Sequence, residues 1–287
     1  MSNKQKQKEM SLKEKIMLVD VGVSKWGARK FDAAASKRIT SENGAKQKAA
    51  RVNKLLIESP ALDKISNIEG QVRTYLYSCT LPWNDKGLRI LPVTKYFEFL
   101  SKINEFKNDF EEAVNNFMPE YERLRTEVWE LTNMLGTLYN ERDYPNEHTI
   151  RGKFELRIHF MPLYDGSDFR VKLADDEVEL IRASIEEDVN NKIAHATEEL
   201  FDKARELVLK MAEKLADPNA IYRDSLIENI RAFNDTLPVL NFNNDPKIDY
   251  IHGLLKDVSS YDPEVLRWKL SLRKDVAEKA KKIYDLI

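Results

Sequence analysis

Residues 178–215 read VELIRASIEEDVNNKIAHATEELFDKARELVLKMAEKL. Val178, Ile181, Ile185, Val189, Ile193, Ala196, Leu200, Ala204, Leu207, Met211 and Leu215 recur in steps of three and four. That spacing is one face of a long helix. The carboxylates Asp175, Asp176 and Glu177 stand at its start, where they complement the helix dipole, and Asp217-Pro218 closes it. A divalent cation held by those three acids is the competing reading.

A second stripe matches the first in length. It runs through Phe99, Ile103, Phe106, Phe110, Val114, Phe117, Tyr121, Leu124, Val128, Leu131 and Leu135. Pro119 lies inside it and predicts a kink or short break near Phe117–Met118. Each stripe must bury its apolar face, so the two helices are expected to pair as an antiparallel hairpin.

Between the stripes, KFELRIHF (153–160) and DFRVKL (168–173) alternate apolar and polar residues around the turn-rich MPLYDGS, predicting a β-hairpin at one end of the helical pair. After Pro218, shorter helices are expected at 223–236, 246–258 and 263–286, the last with Val265, Trp268, Leu272, Val276, Ala280 and Ile283 inward. The fold class is therefore mainly α with a small β component (α+β).

The N-terminal part reads differently. Residues 1–14 have the composition of a disordered arm, and IMLVDVGV (16–23) is a strand that WGARKF (26–31) can partner. Residues 33–51 read as an exposed loop running into a helix that carries Val52, Leu55 and Leu56 and stops at Pro60. A further helix starts at Ser59-Pro60 and carries Ile65, Ile68, Val72, Leu76 and Cys79, although its end, TYLYSCT, also suits a strand. The chain thus divides in order into an arm (1–14), a basic segment (15–60), the helical hairpin (61–220) and the C-terminal helices (221–287).

Residues 81–92, LPWNDKGLRILP, place Trp83, Asp85, Lys86, Gly87 and Arg89 between two prolines. Asn84 to Gly87 have tight-turn chemistry, with Gly87 free to take a positive φ. The segment is expected to be a rigid corner between helices, from which Lys86 and Arg89 could meet a phosphate or a carboxylate.

Composition sets limits. Charged residues make up 33% and hydrophobic residues 42% of the 287, which fits solvated helices around a real core. Nine glycines argue against a glycine-rich nucleotide loop, and there is no Walker A loop, dinucleotide fingerprint or GxSxG. The single cysteine excludes an internal disulfide and a multi-cysteine zinc site. The four histidines include no HExxH and no close pair, so no metal or other cofactor is expected. No run approaches 18 apolar residues and no signal-peptide core follows the N-terminus, which predicts a cytoplasmic chain without membrane association.

Charge is unevenly divided. Residues 1–54 hold 14 lysines and arginines against 5 acids, and the rest hold 32 against 43. Lys25, Arg29, Lys30, Lys37, Arg38, Lys46, Lys48 and Arg51 fall together, with Trp26 and Phe31 interleaved. Cations neutralise phosphates and aromatic faces stack bases, so this segment, with Lys86 and Arg89, is the candidate nucleic-acid site. The competing reading is a solvated basic loop that packs Trp26 into a core. The function expected is non-enzymatic binding or annealing of single strands by a homo-oligomer. An enzymatic site would have to come from Asp85, Arg89, Asp165, Asp168 and Arg170.

The runs 81–92, LGTLYNERDYP (135–145) and FMPLYDGSDFRVKL (160–173) together resemble an uncharacterised family encoded in tailed-phage genomes and labelled only as a domain of unknown function. The resemblance spans about residues 70–240 and brings no catalytic residues. It implies phage origin, the host cytoplasm, and gene neighbours of the MoxR-type AAA+ ATPase and von Willebrand A types. The alternative function it suggests is an adaptor working with an AAA+ ATPase or a host factor.

Overall fold

Asp217-Pro218, Asp245-Pro246 and Asp262-Pro263 punctuate the C-terminal half, and helices stop or start at each of them. The computed structural model describes residues 12–164 and 175–287. In chain order the elements are α1 (Leu12–Lys15), β1 (Ile16–Ser24), β2 (Arg29–Asp32), α2 (Ala33–Glu42), β3 (Val52–Leu55), α3 (Pro60–Cys79), β4 (Leu81–Pro82) and β5 (Arg89–Pro92). Then come α4 (Tyr96–Glu127), α5 (Trp129–Leu135), α6 (Glu147–Arg151), β6 (Glu155–Pro162), α7 (Asp175–Ala216), α8 (Ser225–Leu240), α9 (Pro246–Ser259), α10 (Pro263–Trp268) and α11 (Leu270–Leu286). The fold is mainly α with a small β part.

The chain divides into two compact units, each discontinuous in sequence. One comprises Met1–Asp20, Tyr75–Phe99 and His159–Ile287, and the other Val21–Thr74 and Leu100–Ile158. The boundaries fall inside β1, α3, α4 and β6.

In the first unit, α7 forms the spine. Its buried residues Ile193, Ala196, Leu200, Ala204, Val208, Met211 and Leu215 share a core with Ile227 and Ile230 of α8, Leu255 of α9 and Val276, Ala280 and Ile283 of α11. The expected hairpin partner is thereby corrected. The stripe of α7 is covered by α11 and α8, while the stripe of α4 from Ile103 onward belongs to the second unit. The C-terminal helices follow α7 closely in sequence and carry apolar faces of their own, and consecutive elements tend to be spatial neighbours. The pair α7–α11 is antiparallel: Arg205 Nη2 donates to Ile287 O at 2.7 Å and Arg273 Nε to Leu215 O at 3.1 Å.

Arg273 is 5% exposed and lies across the C-terminal end of α7. Its guanidinium donates to the carbonyls of Lys214 (3.0 Å), Leu215, Asp217, Pro218 (3.3 Å) and Ala220 (3.0 Å). Lys214 and Leu215 are among the carbonyls that a helix end leaves without intrahelical partners, the other three belong to the turn that follows α7, and a cation there also suits the dipole. The last predicted helix is split at Lys269, and Trp268, expected inside, is 88% exposed.

Strand pairing departs most from expectation. Residues 26–31 do not partner β1. Instead β1 pairs antiparallel with β5 (Ile16 opposite Pro92, Val19 opposite Arg89), in a sheet of order β4-β5-β1-β6. The 81–92 segment is therefore a β-hairpin between helices, its turn closed by Trp83 N donating to Leu88 O at 2.9 Å, with Gly87 at φ 96°. Strand β6 joins this sheet, and its expected partner 168–173 lies outside the described residues. Residues 12–14, expected in the disordered arm, are helical. α3 is a helix to Cys79, and α4 continues through Pro119 to Glu127, breaking at Val128 rather than at Phe117–Met118.

Candidate nucleic-acid interface

The second unit holds the basic segment. β2 and β3 form a two-stranded antiparallel ribbon in which Arg29 faces Leu55, Lys30 faces Lys54, Phe31 faces Asn53 and Asp32 faces Val52. Residues 52–55, expected to be helical, are strand: Leu56 N donates to Ala28 O at 2.7 Å and Val52 N to Ser36 Oγ at 2.9 Å, tying this stretch to β2 and α2. Asp32 caps α2 by accepting from Ala35 N at 2.9 Å.

Strand alternation sorts the ribbon into two faces. On the inner face, Lys54 Nζ lies 2.6 Å from Asp143 Oδ2 and 3.5 Å from Asp32 Oδ2, and it donates to Leu138 O at 2.7 Å. Lys30 Nζ reaches the other Asp143 oxygen at 2.8 Å. Burial pushes the Asp143 carboxyl up, and the two lysines more than offset this, holding it below the usual carboxylate range. Burial likewise opposes the charge of Lys54, and the two carboxylates hold its ammonium above the usual lysine range. The hydrogen bond from Ala35 N is the largest cause holding Asp32 low. Tyr144, next to Asp143, donates its hydroxyl to Leu56 O at 2.8 Å. The 135–145 run is thus the seat on which the ribbon rests.

On the outer face stand Arg29, Phe31 and Asn53. Phe31 is 44% exposed and the Arg51 guanidinium lies over its ring at 4.6 Å. α2 adds the exposed Lys37 and Arg38, and the loop from α2 to β3 adds Lys46 and Lys48. Arg29, Lys37, Arg38, Lys46, Lys48 and Arg51 form no ion pair among the described residues. These six cations share the segment 29–51 with only Asp32 and Glu42 as acids, and Asp32 lies 3.5 Å from the Lys54 ammonium.

Four predicted residues take other roles. Lys25 is paired to Glu69 at 2.7 Å and donates to Ser66 at 2.9 Å. Lys30 serves Asp143, as above. Trp26 is half-buried, with its ring 5.3 Å from Tyr121 edge-on and 6.3 Å from Phe117, so it packs on α4 rather than standing free for a base. Arg89 belongs to the first unit and is half-buried: it donates to Thr80 Oγ1 at 2.6 Å and Thr80 O at 2.9 Å, and covers the Tyr77 ring at 4.4 Å. Lys86 stands exposed on the first unit's turn.

Among the described residues no group of three His, Cys, Asp or Glu is placed to hold a metal ion, and no helix is long and apolar enough to cross a membrane. Burial pushes the Cys79 thiol up to about 12, so it is a poor nucleophile at neutral pH. Of the acids and bases that an enzymatic site would need, Asp165, Asp168 and Arg170 lie outside the described residues. Comparison with family models, with curated proteins and with solved structures finds no match to this chain.

Proposed function

We propose that the protein is a non-enzymatic binder of single-stranded nucleic acid, and that the outer face of the β2–β3 ribbon, with α2 and the loop that follows it, grips the strand. The observation that carries this reading is the sorting of the ribbon: one face is locked on Asp143, and the other carries Arg29, and Phe31 under Arg51, while α2 and the loop after it hold four further exposed cations. Cations along a backbone track release counterions, and an exposed ring with a guanidinium accepts a stacked base without choosing among bases. Asn53, opposite Phe31, supplies a neutral hydrogen-bonding side chain on the same face. On the resemblance of the 81–92, 135–145 and 160–173 runs, the setting we propose is a tailed phage, with the protein acting in the host cytoplasm.

Fluorescence anisotropy of a labelled oligothymidylate tests the reading. Binding at micromolar concentration or tighter at low salt, weakening as salt rises, supports it. No binding at low salt removes it.

A further inference from the structure

The outer side of α11 carries Lys274, Glu278, Lys281 and Asp285, spaced by four, three and four residues and alternating in sign. All four are exposed, and all four line one groove of about 830 Å³ between α11 and the C-terminal end of α7. The groove is also lined by the small residues Ala212, Ala216 and Ala277 and by the larger Leu270 and Tyr284. The charged spacing would allow three ion pairs along α11, yet none forms among the described residues. Similarly spaced residues on α7 do pair, as Lys203 with Glu206 at 2.7 Å.

The order of signs is self-complementary in one orientation only. If a second α11 is laid antiparallel on the first about a two-fold axis, Lys274 meets Asp285 and Glu278 meets Lys281, each contact occurring twice. A parallel arrangement sets each charge against its own copy. A partner of uniform charge would match only half of the stripe. We infer that this face binds a second copy of the same chain, forming a two-fold dimer through antiparallel α11 helices. This inference stands apart from the nucleic-acid reading, since α11 and the basic ribbon lie in different units.

Seventeen residues of helix span about 25 Å. One helix face is a smaller contact than the roughly 20–30 residues a side of a standard interface, so the dimer should be weak and concentration-dependent. A charge-swap experiment on the full chain tests it by sedimentation equilibrium. The 33.4 kDa chain should approach twice its mass at high concentration and low salt, and lose the dimer as salt rises. Lys274→Glu/Lys281→Glu makes the stripe wholly acidic and Glu278→Lys/Asp285→Lys makes it wholly basic. Each variant alone should dimerise at least about tenfold more weakly, and an equimolar mixture should restore a dimer, with circular dichroism reporting the fold. A wild-type chain that stays monomeric at hundreds of micromolar, a dimer indifferent to salt, or folded variants whose mixture does not associate would overturn the inference.

Discussion

Lys54 and Asp143, 89 positions apart in sequence, meet at 2.6 Å with both side chains almost fully withdrawn from solvent. This contact fixes which face of the β2–β3 ribbon looks outward. Removing one partner of a buried pair leaves the other charge uncompensated. Lys30, half-exposed, still reaches Asp143, so Lys54→Met should destabilise the protein by somewhat less than a fully unpaired charge, roughly 2 kcal/mol, measured by urea unfolding, and should loosen the ribbon.

The same contact sets a pH dependence. Asp143 is held low, so its contribution is complete above the unfolded carboxylate value near about 4 and is lost as pH falls through its folded value. Lys54 is held high, so its contribution is complete below the unfolded lysine value near about 10.4 and is lost as pH rises through its folded value. Unfolding free energy should thus fall on both sides of neutrality. Asp143→Asn should lower the neutral plateau and flatten the acid limb, and an acid limb unchanged in that variant would contradict the assignment.

Arg273 should be irreplaceable by lysine. An ammonium cannot reach the five carbonyls that the guanidinium serves at the end of α7. Leaving such buried acceptors unpaired costs about 1–3 kcal/mol each. Arg273→Lys should lower stability by roughly 2 kcal/mol or more, on the same scale, read as a drop in Tm. A Tm within a degree or so of wild type would show that water serves those carbonyls instead.

Two glycines should respond in opposite directions to alanine. Gly87 sits at φ 96° in the β4–β5 turn and Gly70 lies inside α3, and neither has a heavy atom within 4 Å of an added Cβ. Space therefore plays no part. Gly87→Ala should cost about 1 kcal/mol through backbone strain, whereas Gly70→Ala should stabilise by about 0.5–1 kcal/mol through helix propensity. Thermal melts of the two variants settle the signs.

What local pattern encodes was legible in the sequence. The periodicity of α7, the helix starts at Pro246 and Pro263 and the positive φ of Gly87 each depend on residues within a turn or two of one another. Pairing was not legible in the same way. β1 takes β5 as neighbour, about 70 residues away, and Val52–Leu55 becomes a strand because Arg29–Asp32 offers it an edge. Equal stripe lengths on α4 and α7 suggested that the two helices pair, but an apolar face specifies burial and not the covering partner. The candidate site divides along the same line. Its cationic character could be read from composition, but the commitment of Lys30 to Asp143 and of Lys25 to Glu69 depends on tertiary neighbours. Phe31 and Arg51 stood in the basic segment as separate residues, and only the ribbon stacks them.

The salt dependence of single-strand binding reports how many phosphates the basic segment neutralises. Six exposed cations meeting phosphates predict a slope of log K against log salt approaching about −4, at roughly 0.7 per contact. A variant with Arg29, Lys37, Arg38 and Arg51 changed to alanine should keep the wild-type circular dichroism spectrum and lose more than half of that slope, with affinity reduced at least about a hundredfold at low salt. Equal slopes and affinities for the folded variant and the wild type would contradict the account.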